Sequence, residues 1–347
     1  MSVIQLSRRP AHEPWGHKNG PGALVISLDF ELRWGTRDSH SPVSASTLLK
    51  AREVVLQLLD LFETKRIAAT WASVGMLFAE SRDELCHYLP EILPTYEREK
   101  LNPYREVVGS DERNDPLHFA ASLIRAIDSC PYQEIGSHTF SHYYCLEPGQ
   151  TRPQFEADLA SARHIADARN IKLRSLVFPR NQVNREFIPI LKEQGIQCFR
   201  GTSRGWVHSA SAFGNQRQWH KRAIRLADSY VPLLGTDVVD WPHEAFSEVS
   251  ELTASRYFRP YSGGPSQVTA RAVERIGRGL KLAAEAGKVY HLWFHPEDFG
   301  TYPEENLELL GQVLDQFEQL RGRYGMRSLS MSDACGLARH AETFAAA

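Results

Sequence analysis

Two acidic side chains stand one residue apart at the end of an apolar stretch near the start of the chain. Asp29 and Glu31 close the sequence ALVISLDFE, which spans residues 23–31. In a β-strand, residues two apart project from the same face, so the two carboxylates would lie side by side. Adjacent negative charges raise each other's pKa unless a positive group lies between them. The pattern therefore predicts a positively charged group beside Asp29 and Glu31.

Two histidines with a spacing suited to metal binding occur later in the chain, in the sequence SHTFSH. His138 and His142 are four residues apart, and a helical turn would present both imidazoles on one face. Spacing alone favours ordinary surface or capping histidines. Two imidazoles and one carboxylate, however, form a ligand set that leaves positions on a metal open for water and substrate. Together with the acid pair and with His295, the two histidines favour a metal site.

The surrounding elements indicate that these residues meet. Apolar segments typical of strands alternate with amphipathic segments typical of helices, and this alternation predicts parallel strands with helices outside. Polar clusters end three of the strands, at residues 29–31, 138–142 and 295–298. The carboxyl ends of parallel strands in an α/β barrel converge on one rim, where active sites are built. We therefore expect one site at that rim.

Length and composition limit the class of protein. The chain has 347 residues, 42% hydrophobic and 24% charged, which is ordinary for a globular protein with a large core. Its 40 Lys and Arg nearly balance its 42 Asp and Glu, so no basic field favours nucleic acid as a partner. The 5 cysteines include no CxxC pair and are expected to be reduced thiols. No apolar run resembles a secretory signal or the roughly 20 residues of a membrane helix, so we expect a cytoplasmic protein without an integral membrane segment.

One domain is expected, in residues 22–347, after a flexible arm at residues 1–21. Scattered prolines and charge clusters predict that residues 80–131 form an insertion of short helices and loops after the second strand. Residues 201–267 are loop-rich but too long for a structureless connection, so they are expected to contain structure that the pattern does not define. Nothing in the sequence indicates an oligomeric state.

Several motifs together resemble the polysaccharide deacetylases, also called carbohydrate esterase family 4 or the NodB-homology fold. SLDFE at residues 27–31 resembles the DxE variant of the family's acidic first motif, and HTFSH at 138–142 matches its H[ST]xxH motif. AATWASVG at 68–75 is similar to the family's second strand, and HLWFH ends in His295 as the family's last motif does. The resemblance spans about residues 23–335. It implies an α/β fold, a distorted (β/α)7-like barrel with an insertion after the second strand.

The same resemblance implies residue roles. One divalent ion, expected to be Zn²⁺ with Co²⁺ or another divalent ion as alternatives, would be held by Glu31, His138 and His142. Asp29 would act as general base towards a water molecule, and His295 would give a proton to the leaving amine or alcohol. The metal would polarise the acyl carbonyl and stabilise the oxyanion.

Two of the family's motifs depart from the usual pattern. VFPRNQ at residues 177–182 stands where an RxxP motif is expected. Arg180 is predicted to orient Asp29 from this segment, and a surface salt bridge is an equally good interpretation of Arg180. The fourth motif is represented only by Asp240-Trp241, at residues 240–241. Since these loops normally shape the substrate groove, they leave open whether the substrate is an acylated sugar or a small-molecule amide.

Other residues near the motifs have more than one interpretation. Glu297 and Asp298 either hydrogen-bond His295 or cap the helix that follows. Four aromatic side chains could stack on sugar faces, although each is more often a packing residue: Trp34, Tyr143, Trp241 and Trp293.

The function that we favour is metal-dependent removal of an acyl group, expected to be N-acetyl, from an amino sugar or glycan precursor in surface-polysaccharide synthesis. Hydrolysis of a non-sugar amide on the same fold is an alternative. A serine hydrolase is another, because GTSRG fits the GxSxG pattern with Ser203 as nucleophile, followed by Asp237 and by His291 or His295. Weak helical periodicity after Ser203 argues against it. A non-catalytic glycan-binding relative would lack the base or the acid, and an iron oxygenase shares only the ligand set.

Overall fold

The computed structural model describes residues 21–37, 43–202, 238–242, 249–264 and 266–345. Its strands are β1 (Ala23–Phe30), β2 (Ala69–Ser73), β3 (Gln133–Ser137), β4 (Ser175–Leu176), β5 (Cys198–Gly201), β6 (Ser250–Thr253), β7 (Arg256–Tyr257), β8 (Val289–Phe294) and β9 (Arg327–Leu329). Its helices are α1 (Leu32–Thr36), α2 (Ala45–Lys65), α3 (Arg82–His87), α4 (Ala121–Ser129), α5 (Arg152–Asp167), α6 (Ile188–Glu193), α7 (Ser266–Ala286), α8 (Pro303–Tyr324) and α9 (Met331–Ala345).

The strands form one parallel sheet that curls into a barrel. Their order is β6-β5-β4-β3-β2-β1-β8-β7, and β9 pairs with the first residues of β1. The extended stretch 250–257 completes the ring, because β6 pairs with β5 and β7 pairs with β8. Between them, the Ala254 amide donates to the Gly201 carbonyl and the Ser255 amide donates to the His291 carbonyl. All strands therefore direct their carboxyl ends to the same rim.

The alternation of side chains along β1 separates the core from the barrel interior. Leu24, Ile26, Leu28 and Phe30 belong to the large apolar core that includes residues of α2 and α8. The intervening residues face inward. Ala23 and Val25 join a smaller apolar cluster that closes the lower end of the barrel, with Met331, Ala334 and Cys335 of α9. The next inward positions are Ser27, Asp29 and Glu31, so the interior becomes polar towards the rim.

Helix ends follow local signals in the sequence. Thr151 is the N-cap of α5, and its amide donates to Gln154 Oε1 at 2.9 Å. Gly195 follows α6 with a φ of 81°, a left-handed conformation that favours glycine. These two signals fix where α5 begins and where α6 ends.

The predicted fold class, a distorted NodB-type α/β barrel, is confirmed. Residues 80–131 contain α3, α4 and single 3₁₀ turns, while the division into one domain with an arm stays a prediction. The arm, apart from residue 21, lies outside the described residues, as does most of the segment 201–267. The described part of that segment contributes β6 and β7. No helix in the described ranges has the length and apolarity needed to cross a membrane.

Candidate metal and catalytic site

Glu31, His138 and His142 converge at the rim of the barrel. Glu31 Oε2 lies 3.3 Å from His138 Nε2 and 2.9 Å from His142 Nε2. One ligand atom from each residue lies within 4.8 Å of the other two, and all three residues are buried. This set has the composition and spacing of a three-ligand site for a divalent ion.

The hydrogen bonding of His138 suits it to bind a metal. Its Nδ1–H donates to the Val177 carbonyl at 2.8 Å, which leaves the Nε2 lone pair directed at Glu31. His138 Nε2 is buried without a hydrogen-bond partner in the described part of the chain. Burial lowers the pKa of His142 to about 4 despite the Glu31 charge, so this imidazole is neutral at physiological pH. Neutral imidazoles are the form that metals bind, and the three residues therefore fit such an ion.

The HTFSH segment is an irregular loop, and the helical turn that the spacing suggested is not formed. Thr139 has a φ of 62° and His142 a φ of 57°. Asp158 of α5 fixes the loop, since its carboxylate accepts hydrogen bonds from the amides of Phe140 and Ser141 and from the Ser141 hydroxyl. The Thr139 hydroxyl oxygen also accepts a hydrogen bond from the amide of Tyr143 at 2.7 Å. These bonds replace the backbone pairing of a helix and still bring both imidazoles together.

Asp29 forms a two-point ion pair with Arg200 of β5. Arg200 Nη1 lies 2.6 Å from Oδ1 and Nη2 lies 2.7 Å from Oδ2, and both side chains are buried. Burial by itself raises the pKa of Asp29, but the charges of Arg200 and His295 outweigh it and lower the pKa below its usual value. Asp29 is therefore a carboxylate at neutral pH.

The predicted partner of Asp29 was Arg180, and the structure places Arg200 in that position instead. The Arg180 guanidinium lies 4.6 Å from the centre of the Tyr144 ring. The order of motifs along the chain contains no information about an arginine of β5 that reaches across the barrel to β1. A usable signal exists in IQCFRG, because Arg200 is the charged residue of an otherwise apolar strand and shares the inward face with Cys198.

Polar side chains around Asp29 hold Arg200 in place. Arg200 Nη1 donates to Ser27 Oγ at 3.1 Å, and Nη2 donates to Asn181 Oδ1 at 3.0 Å. Ser27 Oγ also lies 2.9 Å from His291 Nε2. Burial, with the Arg200 charge, lowers the pKa of His291 to about 3, so this imidazole is neutral and can accept a hydrogen bond from the Ser27 hydroxyl. Arg200 is therefore held by Ser27 and Asn181 as well as by Asp29.

His295 stands beside the acid pair at the end of β8. Its Nε2 lies 3.7 Å from Asp29 Oδ2 and 3.9 Å from Glu31 Oε1. Its Nδ1 lies 3.0 Å from Asp298 Oδ2, which also accepts a hydrogen bond from the Tyr257 hydroxyl at 2.5 Å. Burial opposes the charge on His295, but Asp298 and the two acids outweigh it and raise the pKa well above its usual value. His295 is thus a protonated imidazole oriented by Asp298.

The two acids after His295 therefore have different contacts. Asp298 bonds His295, as one interpretation expected, whereas Glu297 caps α1 rather than the helix that follows. Glu297 Oε1 accepts hydrogen bonds from the amides of Glu31 and Leu32. Burial and the Glu31 charge raise the pKa of Glu297 to about 8.

Strained backbone is concentrated at this rim. Five non-glycine residues with positive φ lie in the turns that follow β1, β3 and β4: Leu32, Thr139, His142, Arg180 and Asn181. The left-handed conformation costs L-residues roughly 1–2 kcal/mol each, with Asn the least affected. Such strain is typical of functional sites, where the surrounding structure imposes it.

One of the four aromatic candidates lies at the site. Trp293 is half-buried, with its ring centre 5.8 Å from that of His295 and 4.3 Å from the Arg200 guanidinium. Trp34 and Tyr143 are buried packing residues. The Trp241 indole N–H donates to the Gly287 carbonyl near the start of β8.

The candidate for the fourth motif, Asp240-Trp241, lies at the wrong end of the barrel. Val239 forms an isolated bridge with Val289, the first residue of β8, whereas His295 follows the last. Asp240 makes an exposed ion pair with Lys288 at 2.8 Å. This motif therefore does not contribute to the rim site.

The serine-hydrolase pattern gains no support from the described residues. Ser203 and Asp237 lie outside them. His291 is fully buried against Ser27, and His295 is paired with Asp298. His291 is therefore closed to a serine nucleophile, and the pattern with His295 depends on residues outside the described ranges.

The parallel barrel, with an acid pair at the end of its first strand and two histidines after its third, has the fold of a NodB-type barrel. The family model for polysaccharide deacetylase matches residues 45–199, which include the HTFSH motif. This match confirms the resemblance to polysaccharide deacetylases that the motifs predicted. No curated protein sequence matches the chain significantly.

Solved structures with this fold include proteins of several kinds. A Mycobacterium smegmatis protein assigned as a polysaccharide deacetylase superposes with a TM-score of 0.60 at 14% identity, over 95% of each chain. Puue allantoinase gives a TM-score of 0.54 at 12% identity, over 96% of this chain and 97% of its own. The 4-alpha-glucanotransferase of Thermococcus litoralis gives 0.51 at 10% identity, over 91% of this chain and 40% of its own. At these identities the likeness concerns the fold alone.

Proposed function

We propose that this protein is a metal-dependent hydrolase that removes an acyl group, expected to be N-acetyl, from an amino sugar or glycan precursor. The observation that carries the proposal is the convergence of the Glu31, His138 and His142 cluster with Asp29 and His295 at one rim. The polysaccharide deacetylase match supports carbohydrate deacetylation as the reaction class. A role in surface-polysaccharide synthesis and a cytoplasmic location are part of the same proposal.

The metal would be held by the three rim ligands, with Zn²⁺ as the expected ion. When bound, such an ion lowers the pKa of a coordinated water and polarises the acyl carbonyl. The neutral His142 imidazole and the Glu31 carboxylate are in the protonation states that this binding needs.

Asp29 is the proposed general base. The Arg200 ion pair keeps it ionised, and the two-point geometry fixes the plane of its carboxylate. A base that is oriented in this way can accept the proton of the attacking water without first reorganising. Arg200 itself would touch neither the water nor the acyl group, and is a positioning residue.

His295 is the proposed general acid. Its raised pKa keeps the imidazole protonated at neutral pH, and Asp298 directs Nε2 towards Asp29 and Glu31. From this position Nε2 could give its proton to the leaving nitrogen or oxygen of the substrate. An amine leaves poorly as an anion, so this proton matters most for an amide.

The proposed substrate class rests on the sugar-deacetylase match and on Trp293 beside the site. A half-buried indole next to the catalytic groups can stack on the apolar face of a sugar ring. A non-sugar amide would use the same ligands, base and acid, and is the alternative that remains.

The test is acetate release from a panel of matched substrates. N-Acetylglucosamine, its oligomers and its nucleotide-linked form would be compared with non-sugar acetamides at equal concentration, using Zn²⁺-loaded protein. Release from the sugars alone would support the proposal. Release from non-sugar acetamides alone would establish the alternative, and no release with full metal occupancy would leave the glycan-binding class.

A further inference from the structure

The turn that carries Glu31 has an unfavourable backbone. β1 ends at Phe30 and α1 begins at Leu32, whose φ is 44°. This left-handed conformation crowds the side chain of any residue except glycine. The Glu31 side chain makes no capping hydrogen bond with α1. The conformation of the turn must therefore be imposed from elsewhere in the fold.

Glu297, in the turn after β8, contacts the backbone of this turn. Its Oε1 accepts a hydrogen bond from the Glu31 amide at 2.9 Å and another from the Leu32 amide at 2.5 Å. Glu297 is buried, and its Oε2 has no hydrogen-bond partner among the described residues. Because 265 residues separate Glu297 from Leu32 along the chain, this contact ties the ends of two adjacent strands together.

The Glu31 side chain is confined from a second direction. A Cβ atom at Gly35 would lie 1.9 Å from Glu31 Cδ, so the carboxylate packs directly over the backbone of α1. With its amide held by Glu297 and its carboxylate against Gly35, Glu31 has one way to point. That direction is towards His138 and His142.

We propose that Glu297 is a positioning residue for the metal centre. By holding the amides of Glu31 and Leu32, it maintains the strained turn and aims the Glu31 carboxylate at the two histidines. The proposal deepens the proposed function and rests on it. Since Glu297 follows His295 by two residues, the same contact also couples the turn of the proposed acid to the turn of the metal ligand.

The test is the Zn²⁺ affinity of the full-length protein, measured by competition with a chromogenic chelator. Glu297→Leu removes the acceptor and should weaken Zn²⁺ binding about tenfold or more, the usual effect of losing a group that orients a metal ligand. Glu297→Gln keeps an amide oxygen at the same place and should bind Zn²⁺ nearly as tightly as the unmodified protein.

Glu134→Leu is the matched control. Glu134 Oε2 likewise accepts a backbone amide, that of Ser332 at 3.1 Å, and the Thr70 hydroxyl at 2.7 Å. It does so beside the start of α9, at the end of the barrel opposite the rim. The control should lose stability without losing affinity for Zn²⁺, which separates positioning from a general loss of structure.

Wild-type Zn²⁺ affinity in folded Glu297→Leu, or an equal loss in Glu134→Leu, would overturn the positioning role. If Glu297→Leu does not fold, Glu297→Asp serves, because its carboxylate is one methylene short of the two amides and should also weaken binding. An unmodified protein that binds no Zn²⁺ would instead refute the proposed function together with this extension of it. Faster hydrogen exchange at the Glu31 and Leu32 amides of metal-free Glu297→Leu would give a second, metal-independent confirmation.

Discussion

Arg200 and Asp29 form a buried ion pair across the barrel, with Nη1–Oδ1 and Nη2–Oδ2 distances of 2.6 and 2.7 Å. The pair joins β5 to β1, two strands that are not neighbours in the sheet. The ion pair explains how two acidic side chains can lie next to each other at the end of β1. One acid, Asp29, is neutralised by an arginine from within the barrel, while Glu31 faces two imidazoles that could share a cation with it.

Arg200→Gln should impair hydrolysis far more than Arg180→Gln. Loss of the guanidinium leaves Asp29 buried, unpaired and free to rotate, whereas the Arg180 guanidinium lies over the Tyr144 ring. We expect kcat to fall in the first variant with Zn²⁺ content retained, and to change little in the second. Steady-state kinetics on an acetylated sugar with metal analysis checks both.

Breaking a buried ion pair also costs stability, about 3–5 kcal/mol when one charge is left unpaired. Arg200→Lys keeps the charge and provides a folded comparison if the glutamine variant is unstable. An Arg180→Gln variant with the larger loss of kcat would restore the role that the sequence motif assigned to Arg180.

Asp29→Asn should retain the metal while hydrolysis falls by about 10²–10⁴-fold, the usual contribution of general-base assistance. The amide can still accept one hydrogen bond from Arg200 but cannot take a proton from water. Glu31→Gln should instead lose the metal, because it removes the one negative charge among the three ligands. Metal content and kcat measured on both variants check these roles. Loss of the ion in Asp29→Asn would contradict them.

His295→Ala should affect an amide more than an activated ester. A nitrophenyl ester leaves as a stable phenolate and needs no proton, whereas an amine does need one. We expect kcat on an acetamide to fall by about 10²–10⁴-fold and kcat on nitrophenyl acetate to fall much less. Equal losses on both substrates would make His295 a structural residue or a ligand rather than the acid.

His291 should make the protein sensitive to acid. Its folded-state pKa of about 3 lies below the usual 6.5, so the unfolded chain binds a proton that the native state excludes. The stability due to neutral His291 is therefore present above pH 6.5 and is lost as pH falls towards 3. Between pH 6.5 and 5 the unfolding free energy of the wild type should fall relative to that of His291→Gln by about 1–2 kcal/mol. If the unfolding free energies of the two proteins change in parallel over this pH range, His291 is not the cause of the acid sensitivity.

The sequence predicts those parts of the site that depend on local pattern. Alternation along β1 placed Asp29 and Glu31 on one face, and the rule for parallel barrels brought HTFSH and His295 to the same rim. Both follow from strand periodicity, which a few residues suffice to define.

Contacts that cross the barrel could not be predicted in the same way. Arg200 reaches Asp29 from a strand four positions away in the sheet, and sequence order favoured Arg180. The helical turn expected for HTFSH is absent because Asp158, from α5, takes its backbone amides. In each case a tertiary partner outweighs local spacing.

The most direct test of the central claim, a metal centre at Glu31, His138 and His142, is removal and return of the ion. Chelation should abolish acetate release from an N-acetylated sugar, and added Zn²⁺ or Co²⁺ should restore it. His138→Ala should stay folded, bind no metal and remain inactive, whereas Ser203→Ala and the exposed-residue control His87→Ala should behave like the wild type. Full activity after chelation, with loss of activity in Ser203→Ala, would contradict the metal mechanism and identify a serine hydrolase.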